Sequence, residues 1–307
     1  MAIFYMTIGL PGSGKSTYVE RMNDVIVHSS DNIRQELFGD INNQTHNEEV
    51  FRILHKRIIE DLSNGKNVVY DATNINYKRR MEFLKSLNRI HCEKIALLFM
   101  TPIHVCIARN MMRERKVPEN VIMKMYYHFY IPYYYEGWNE IRVISSIEKE
   151  ERQYVNSLMY GATGLLYINQ YNPYHSLTIG EHCIKTQNNV RKLMKVNHSG
   201  DFHYMWSALD EAALLHDIGK VKTMTFVNAN GEPTDVAHYY QHYLVGAYDS
   251  FFIESDVGVL ERAILIQWHM QPYSFEKQKT IDKYKRLWGE QLFNSIMLLH
   301  EADKMSH

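Results

Sequence analysis

One stretch near the start of the chain constrains the fold more than any other: GLPGSGKS, Gly9 to Ser16. It follows the apolar, β-prone run AIFYMTI and leads into a helix-forming segment. The pattern G-x-x-x-x-G-K-[ST] between a strand and a helix turns successive backbone N–H groups toward one point, with the positive end of a helix behind them. That arrangement suits the phosphates of a nucleotide. Gly9, Gly12 and Gly14 let the backbone turn, and Ser13 and Thr17 complete the cradle. Lys15 reaches the β- and γ-phosphates, and Ser16 holds Mg²⁺. The expected cofactor of this half is therefore ATP with Mg²⁺.

Further apolar runs follow at DVIVHSS, NVVYDATN, KIALLFM and IRVI, separated by segments of helical periodicity. Strands alternating with helices predict a parallel α/β sheet. After SIEKEERQ the pattern changes: helical segments dominate, and NANGEPTD at 228–235 reads as a loop. Ten of the sixteen histidines lie after residue 150, so the chemistry shifts with the pattern. A chain of 307 residues has room for two ordinary domains. The sequence predicts an α/β domain over 1–147 and an all-α domain over 148–307.

Composition removes some classes of function. No apolar run is long enough to span a bilayer, so no membrane partner is expected. MAIFYMTIGL lacks a basic flank and runs straight into the loop, so it reads as a first strand rather than a signal peptide. Cys92, Cys106 and Cys183 are far apart with no C-x-x-C spacing, which fits a reducing cytoplasm. The net charge of −1 gives no broad basic field, so a nucleic acid would be gripped locally, at an end.

Three stretches refine the first half. Asp31, in SSDNIRQ, stands just past the second strand, at the sheet edge that carries the loop, where a carboxylate can take a proton from an attacking hydroxyl. Arg34, three residues on, lies on the same helical face, placed for a phosphate of the acceptor. In CIARNMMRERK, Arg109 and Arg113 fall i,i+4 on one predicted helix, with Arg115 and Lys116 at its end. Such cations can close over a transferring phosphoryl group. Asp71 ends the third strand beside the loop.

Together, TIGLPGSGKST, Asp31 with Arg34, VVYDATNINYKRR and ARNMMRERKVPENVI resemble the 5′-hydroxyl polynucleotide kinase family over roughly residues 1–146. The resemblance implies that Lys15 and Ser16 act on the ATP phosphates and metal, and that Asp31 is the general base for a polynucleotide 5′-OH. It also implies that Arg34 contacts the neighbouring phosphate and that Arg113, with Arg109 as a second candidate, is the lid arginine. Ser30 stands where the phage-type enzymes carry a basic residue, which leaves RNA and DNA open as the acceptor.

The second half carries WSALDEAALLHDIGK, an amphipathic helix that delivers His216 and Asp217 at its end. Imidazole and carboxylate together suit divalent ions such as Mn, Fe, Ni, Co or Zn. His182 precedes this pair, and His242, His269 and Asp303 follow, with His238 and His300 as neighbours able to replace two of them. The order His, His-Asp, His, His, Asp, with NPYHSLTIGEH and LLHDIGK, resembles the HD phosphohydrolase superfamily over about 157–307. That resemblance implies His182, His216, Asp217 and Asp303 around one metal, and His242 and His269 at a second position. Lys220 would meet the substrate phosphate.

Two stretches remain. MYYHFYIPYYYEGW, residues 125–138, could stack nucleobases, but packing under the lid and sheet is the better reading of its aromatics. NYKRR at 76–80 could touch a phosphate backbone or start a solvated helix. A kinase for 5′-OH ends joined to a phosphohydrolase for 3′ or 2′,3′ ends would heal broken RNA or DNA for ligation. The alternative is a small-molecule or nucleoside kinase fused to a nucleotide phosphohydrolase.

Overall fold

The computed structural model describes residues 1–43, 45–146, 155–161, 164–173, 176–196, 203–255 and 258–307. The sequence boundary at 147–148, and Tyr174 and His175 of NPYHSLTIGEH, lie outside the described residues. The chain divides into two compact units: Met1–Met125 with Pro132–Ser146, and Tyr126–Ile131 with Ile147–His307.

In the first unit, β1 (Ala2–Ile8), β2 (Ile26–Ser29), β3 (Val68–Asp71), β4 (Cys92–Met100) and β5 (Glu140–Ser145) form one parallel sheet in the order β2-β3-β1-β4-β5. The central strands are apolar on both faces: Ile95 to Met100 of β4 are buried in unbroken succession, and in β1 the buried Phe4, Met6 and Ile8 line one face while Ile3 and Tyr5 pack, half-buried, on the other. That double-sided burial is what a sheet covered by helices on both faces requires. The connecting helices are α1 (Lys15–Val19), α2 (Ser30–Phe38), α3 (Asn47–Ser63), α4 (Tyr77–Ser86), α5 (Ile103–Met111) and α6 (Glu119–Tyr127), the last running on into the second unit. Helix α3 shows why such a segment docks. Val50, Leu54, Ile58 and Leu62 recur every four residues and are completely or almost completely buried, each stabilising the unit by about 2 kcal/mol.

The NYKRR stretch starts a solvated helix, one of the two readings of its sequence, except at Arg80. Asn76 caps α4 through its side-chain oxygen, and Lys78 and Arg79 are exposed. Arg80 turns inward and is only 1% exposed. Its guanidinium makes a bidentate pair with the buried Glu136, at 2.8 and 2.6 Å, and also donates to Asn74 O at 2.9 Å. Trp138 Nε1 donates to the same carboxylate at 3.0 Å. Every strong donor and acceptor of the pair is matched, which is what makes a buried ion pair tolerable.

The second unit contains α7 (Val155–Tyr160), α8 (Ile179–Val196), α9 (His203–Leu215), α10 (Lys220–Thr223), α11 (His242–Ser250), α12 (Val259–Trp268) and α13 (Gln278–Lys304), which bends at Gly289. Small residues let its central helices approach: Ala212 and Ala213 of α9 and Ala263 of α12 have no exposed surface. The unit is not all-α. Met224–Val227 (β6) and Pro233–Tyr239 (β7) pair as an antiparallel hairpin, so only the front of the NANGEPTD stretch is loop. The turn rests on Asn228, which bonds Asn230 and Glu232, and on Gly231, whose φ of +86° favours glycine.

The aromatic stretch also divides unexpectedly. Tyr126 and Phe129 are buried in the second unit, edge-on to Tyr248 at 5.2 and 5.0 Å between ring centres. The Gln267 amide donates to Ile131 O and accepts from Ile131 N, imitating a strand pairing. These rings are packed, as the sequence suggested, but on helices of the second unit rather than under the sheet.

Candidate active sites

The nucleotide loop joins β1 to α1. Gly12 holds a φ of +82°, and a Cβ there would lie 2.3 Å from Cys106 O, so the loop closes only with glycine. Helix α1 begins at Lys15, so the N–H groups of its first turn have no partner within the helix. Lys15 Nζ donates to Gly9 O at 3.0 Å and Leu10 O at 2.8 Å. Burial lowers its pKa to about 8, against the opposing pull of Asp71 and Asp31. Ser16 and Thr17 are exposed, and Ser13 is buried.

The parallel register aligns Ser29 with Asp71 at the carboxyl ends of β2 and β3. Asp71 is held by the Thr7 hydroxyl at 3.0 Å, and burial raises its pKa against the pull of Lys15. Ser29 caps α2 by accepting from Asp31 N at 3.2 Å, so Asp31 sits inside the first turn rather than at the cap. Its carboxylate carries two arginines: Arg34 Nη1 on Oδ1 at 3.0 Å and Arg115 Nη1 on Oδ2 at 2.5 Å. Arg34 is buried, and its other terminal nitrogen donates to Asn47 Oδ1 at 2.7 Å.

The arginine-rich segment departs from the predicted helical face. Helix α5 stops at Met111, so Arg113 lies in the turn that follows and is not one helical turn below Arg109. The Asn110 side chain clamps that turn, donating to Val117 O at 2.8 Å and accepting from Val117 N at 3.0 Å. Arg113 acts electrostatically on both Lys15 and Asp71, and the Arg109 guanidinium lies beside Gly14. The loop, Asp31, Asp71, Arg109, Arg113 and Arg115 therefore gather at one edge of the sheet. Arg115 was named in the sequence only as part of a basic helix end. No helical spacing linked Arg115 to Asp31, because the segment that carries Arg115 is not helical.

The second unit brings all six predicted ligands together. His182, His216, Asp217, His242, His269 and Asp303 are each at most 6% exposed. His182 Nε2 lies 2.9 Å from Asp303 Oδ1 and 3.2 Å from His216 Nε2. Asp217 faces both sides: Oδ2 is 3.6 Å from His182 and 3.5 Å from His216, while Oδ1 is 3.4 Å from His242 and 3.9 Å from His269. Two donor groups, His182-His216-Asp217 and Asp217-His242-His269, thus share one carboxylate. Gly219 makes this possible. A Cβ there would stand 2.0 Å from His242 O, so only glycine lets the Asp217 segment pass the start of α11.

The tautomers fit a metal. Nδ1 of His216, His242 and His269 each lies 2.7 to 2.9 Å from a carbonyl three residues earlier, those of Ala213, Tyr239 and Ile266. Such bonds fix the proton on Nδ1 and leave the Nε2 lone pair for a ligand. His242 Nε2 and His269 Nε2 face each other at 3.3 Å, a contact of two lone pairs that a shared cation relieves. Burial lowers the pKa of His242, and that of His269 to about 3, which favours the neutral imidazole at both. On the other side, burial opposes a charge on His216, but Asp217, Cys183 and Asp303 override it and hold its pKa well above the ordinary range.

Lys220 is buried between Asp217 Oδ2 and Gln170 Oε1, 2.7 Å from each. Tyr273 donates to Asp303 Oδ2 at 2.8 Å, and His307 Nε2 lies 3.8 Å from Asp303 Oδ1. Gln170 and Tyr273 stand outside the recognised motifs, so spacing gave no signal for them; His307 falls i,i+4 to Asp303 and forms a further donor group with it and His182. The alternatives His238 and His300 are in neither donor group.

Comparison with known proteins places the first unit. Residues 4–132 match a family described as an AAA domain. The L-seryl-tRNA(Sec) kinase of Methanococcus maripaludis is 24% identical over 161 residues, which is 49% of this chain and 62% of that protein. The chain thus spans less than two thirds of that relative's length. A chain of the Pnkp1/Rnl/Hen1 RNA repair complex matches 40% of this chain and 42% of its own length, at 22% identity and a TM-score of 0.37. A gluconokinase from Sinorhizobium meliloti matches 48% of this chain and 83% of its own, at 15% identity and a TM-score of 0.34. With its loop, its parallel sheet and the family match, the first unit is a P-loop domain of the kinase type, a fold that takes ATP with Mg²⁺. Among the described residues, no helix is long and apolar enough to cross a membrane.

Proposed function

We propose that the protein is an ATP-dependent 5′-OH polynucleotide kinase and a metal-dependent phosphatase of 3′ or 2′,3′ ends, acting on RNA or DNA breaks. The observation that supports this reading is that one chain gathers two groups of side chains suited to opposite chemistries. One has a phosphate loop with a carboxylate at the sheet edge, and the other has six buried metal donors sharing Asp217. The one curated relative named above is a kinase of an RNA-borne hydroxyl by its name, which favours a nucleic-acid acceptor.

In the kinase half, Asp31 accepts the proton of the 5′-OH as that oxygen attacks the γ-phosphorus of ATP and ADP leaves. Lys15 and Arg113, with Arg109 beside the loop, offset the charge that spreads over the transferred group. Arg34 orients Asp31 and contacts the acceptor. Ser16 is the residue that would hold Mg²⁺, with Asp71 close by to orient the cations of the site.

In the second half, His182, His216, Asp217 and Asp303 would hold one divalent ion, and Asp217, His242 and His269 a second. Bound there, Mn, Fe, Ni, Co or Zn polarises a phosphoryl oxygen and lowers the pKa of water toward neutrality. Lys220 binds the substrate phosphate, and Gln170 and Tyr239 fix where it stands.

The test is a single oligoribonucleotide with 5′-OH and 3′-phosphate ends, incubated with ATP, Mg²⁺ and Mn²⁺ and followed at both ends. Lys15→Ala should lose only 5′ phosphorylation, and Asp217→Ala only 3′ dephosphorylation. No change at either end with the wild-type protein would overturn the reading in favour of small-molecule substrates.

A further inference from the structure

The Arg115–Asp31 pair has no part in the reaction as set out above, and it stands in its way. Asp31 has to act as a base toward the incoming hydroxyl, yet each of its oxygens already accepts from a guanidinium, Arg34 at Oδ1 and Arg115 at Oδ2, which offsets part of the charge that draws the proton and crowds its open side. The two arginines differ in kind. Arg34 is on the same helix, 6% exposed at its side chain, and fixed from behind by Asn47. Arg115 is 32% exposed and comes from the turn after α5, far away in sequence.

Arg115 also reaches beyond Asp31. Its Nε donates to Asn42 Oδ1 at 2.9 Å and its Nη2 to Ile41 O at 3.2 Å, in the connection between α2 and α3. One guanidinium therefore ties the arginine-rich turn to that connection, with the Asp31 carboxylate in between. An ion pair this exposed is weak enough to open when a competing group arrives. Arg34, buried and anchored by Asn47, cannot leave as easily.

We propose that Arg115 is a positioning residue that gates the Asp31 base. It occupies Oδ2 until an acceptor hydroxyl takes its place, and so keeps water from serving as the phosphoryl acceptor. The inference rests on the kinase reading of Asp31. The guarded step is hydrolysis: water gives a proton to Asp31 while its oxygen bonds to the γ-phosphorus. The bond from that phosphorus to the bridging oxygen then breaks, and ADP and inorganic phosphate leave. An acceptor anchored by the rest of its length has binding free energy with which to displace a guanidinium, and a water molecule has none.

The experiment uses the full chain and two assays: phosphate release from ATP with no acceptor, and phosphorylation of a 5′-OH oligoribonucleotide per ATP consumed. Arg115→Ala should raise acceptor-free hydrolysis about fivefold, the change in open population that goes with losing an exposed pair, and lower the yield per ATP. Arg115→Lys, which keeps the charge without the planar fork, should fall between. Asn42→Ala leaves Asp31 and Arg115 in place but removes one anchor, and should act in the same direction more weakly. Adding Asp31→Asn to Arg115→Ala should return hydrolysis to the wild-type rate or below. A merely structural Arg115 would lower both activities together and leave the yield per ATP unchanged, which overturns the gate. So does a rise in hydrolysis that survives Asp31→Asn. If the wild-type protein phosphorylates no oligonucleotide, the polynucleotide reading fails while the hydrolysis series still decides the gate.

Discussion

The two sites are built on opposite plans. The kinase-type site is made mostly of one continuous loop and the ends of neighbouring strands, and its working side chains stay partly open: Asp31 is 42% and Arg115 32% exposed. The cluster in the helical unit takes side chains from segments spread between residues 182 and 303, and every one of its six donors is buried. A site of the first kind tolerates movement and awaits its substrate's own charge. A site of the second kind has its charges matched to each other in advance, so a single deletion leaves buried groups without partners.

That difference ranks the perturbations. Asp217 belongs to both donor groups, so Asp217→Asn should have the largest effect: loss of bound metal and a fall in 3′-phosphatase activity of at least about a thousandfold. Kinase turnover should remain near that of the wild type. Metal content measured with both activities checks this, and a variant that keeps two equivalents of metal would break the shared-carboxylate picture. Asp31→Ala comes next, lowering 5′ phosphorylation by about 10²–10⁴-fold with little change in the KM for ATP. A parallel loss of ATP binding would show that Asp31 serves the nucleotide rather than the acceptor.

Those ranks also explain what could be read in advance. The loop was legible because a phosphate cradle needs contiguous backbone, so Gly9, Gly12 and Lys15 must be close in sequence. The histidine–aspartate cluster was legible only as an ordered set, since any one of its histidines is unremarkable alone. The hairpin at 224–239 was missed because MTFV is short and PTDVAHY opens with turn-like residues, so tertiary pairing decided it. Arg80 and Arg115 were missed for a shared reason. An arginine's function depends on which carboxylate it meets, and Glu136 and Asp31 are 56 and 84 residues away.

Arg80 supplies the contrast within the first unit, as its one fully buried ion pair among the described residues. Arg80→Ala should destabilise that unit by about 3–5 kcal/mol, read as a lower denaturant midpoint, because Glu136 is left buried and unpaired. Replacing both partners by apolar residues should recover most of the loss. If the single variant costs under 1 kcal/mol, water reaches Glu136 and the pair is not the sealed one described. A milder effect belongs to the second unit: Tyr273→Phe removes one hydrogen bond from Asp303 and should weaken metal binding by about 10- to 100-fold.

The smallest effect tests whether the open site really depends on its substrate's charge. Lys15 is lowered to about pKa 8 by burial, from an ordinary value near 10.5. Its pKa is depressed in the folded protein, so the charged form costs stability below pH 8, and that cost is relieved as pH rises from 8 toward 10.5. Bound triphosphate reverses the balance by giving the ammonium a partner, which raises the pKa in the complex. Below pH 8 the lysine is already charged and ATP affinity should be flat. Above pH 8, binding has to take up a proton, so affinity should fall by roughly tenfold per pH unit until the pKa of the complex is reached. Lys15→Met should bind more weakly throughout and lose this slope. A wild-type affinity that is flat from pH 7.5 to about 9.5 would mean that the loop carbonyls of Gly9 and Leu10 already stabilise the ammonium. The kinase-type site would then be charge-matched in advance, like the histidine–aspartate cluster, and the contrast between the two would rest on exposure alone.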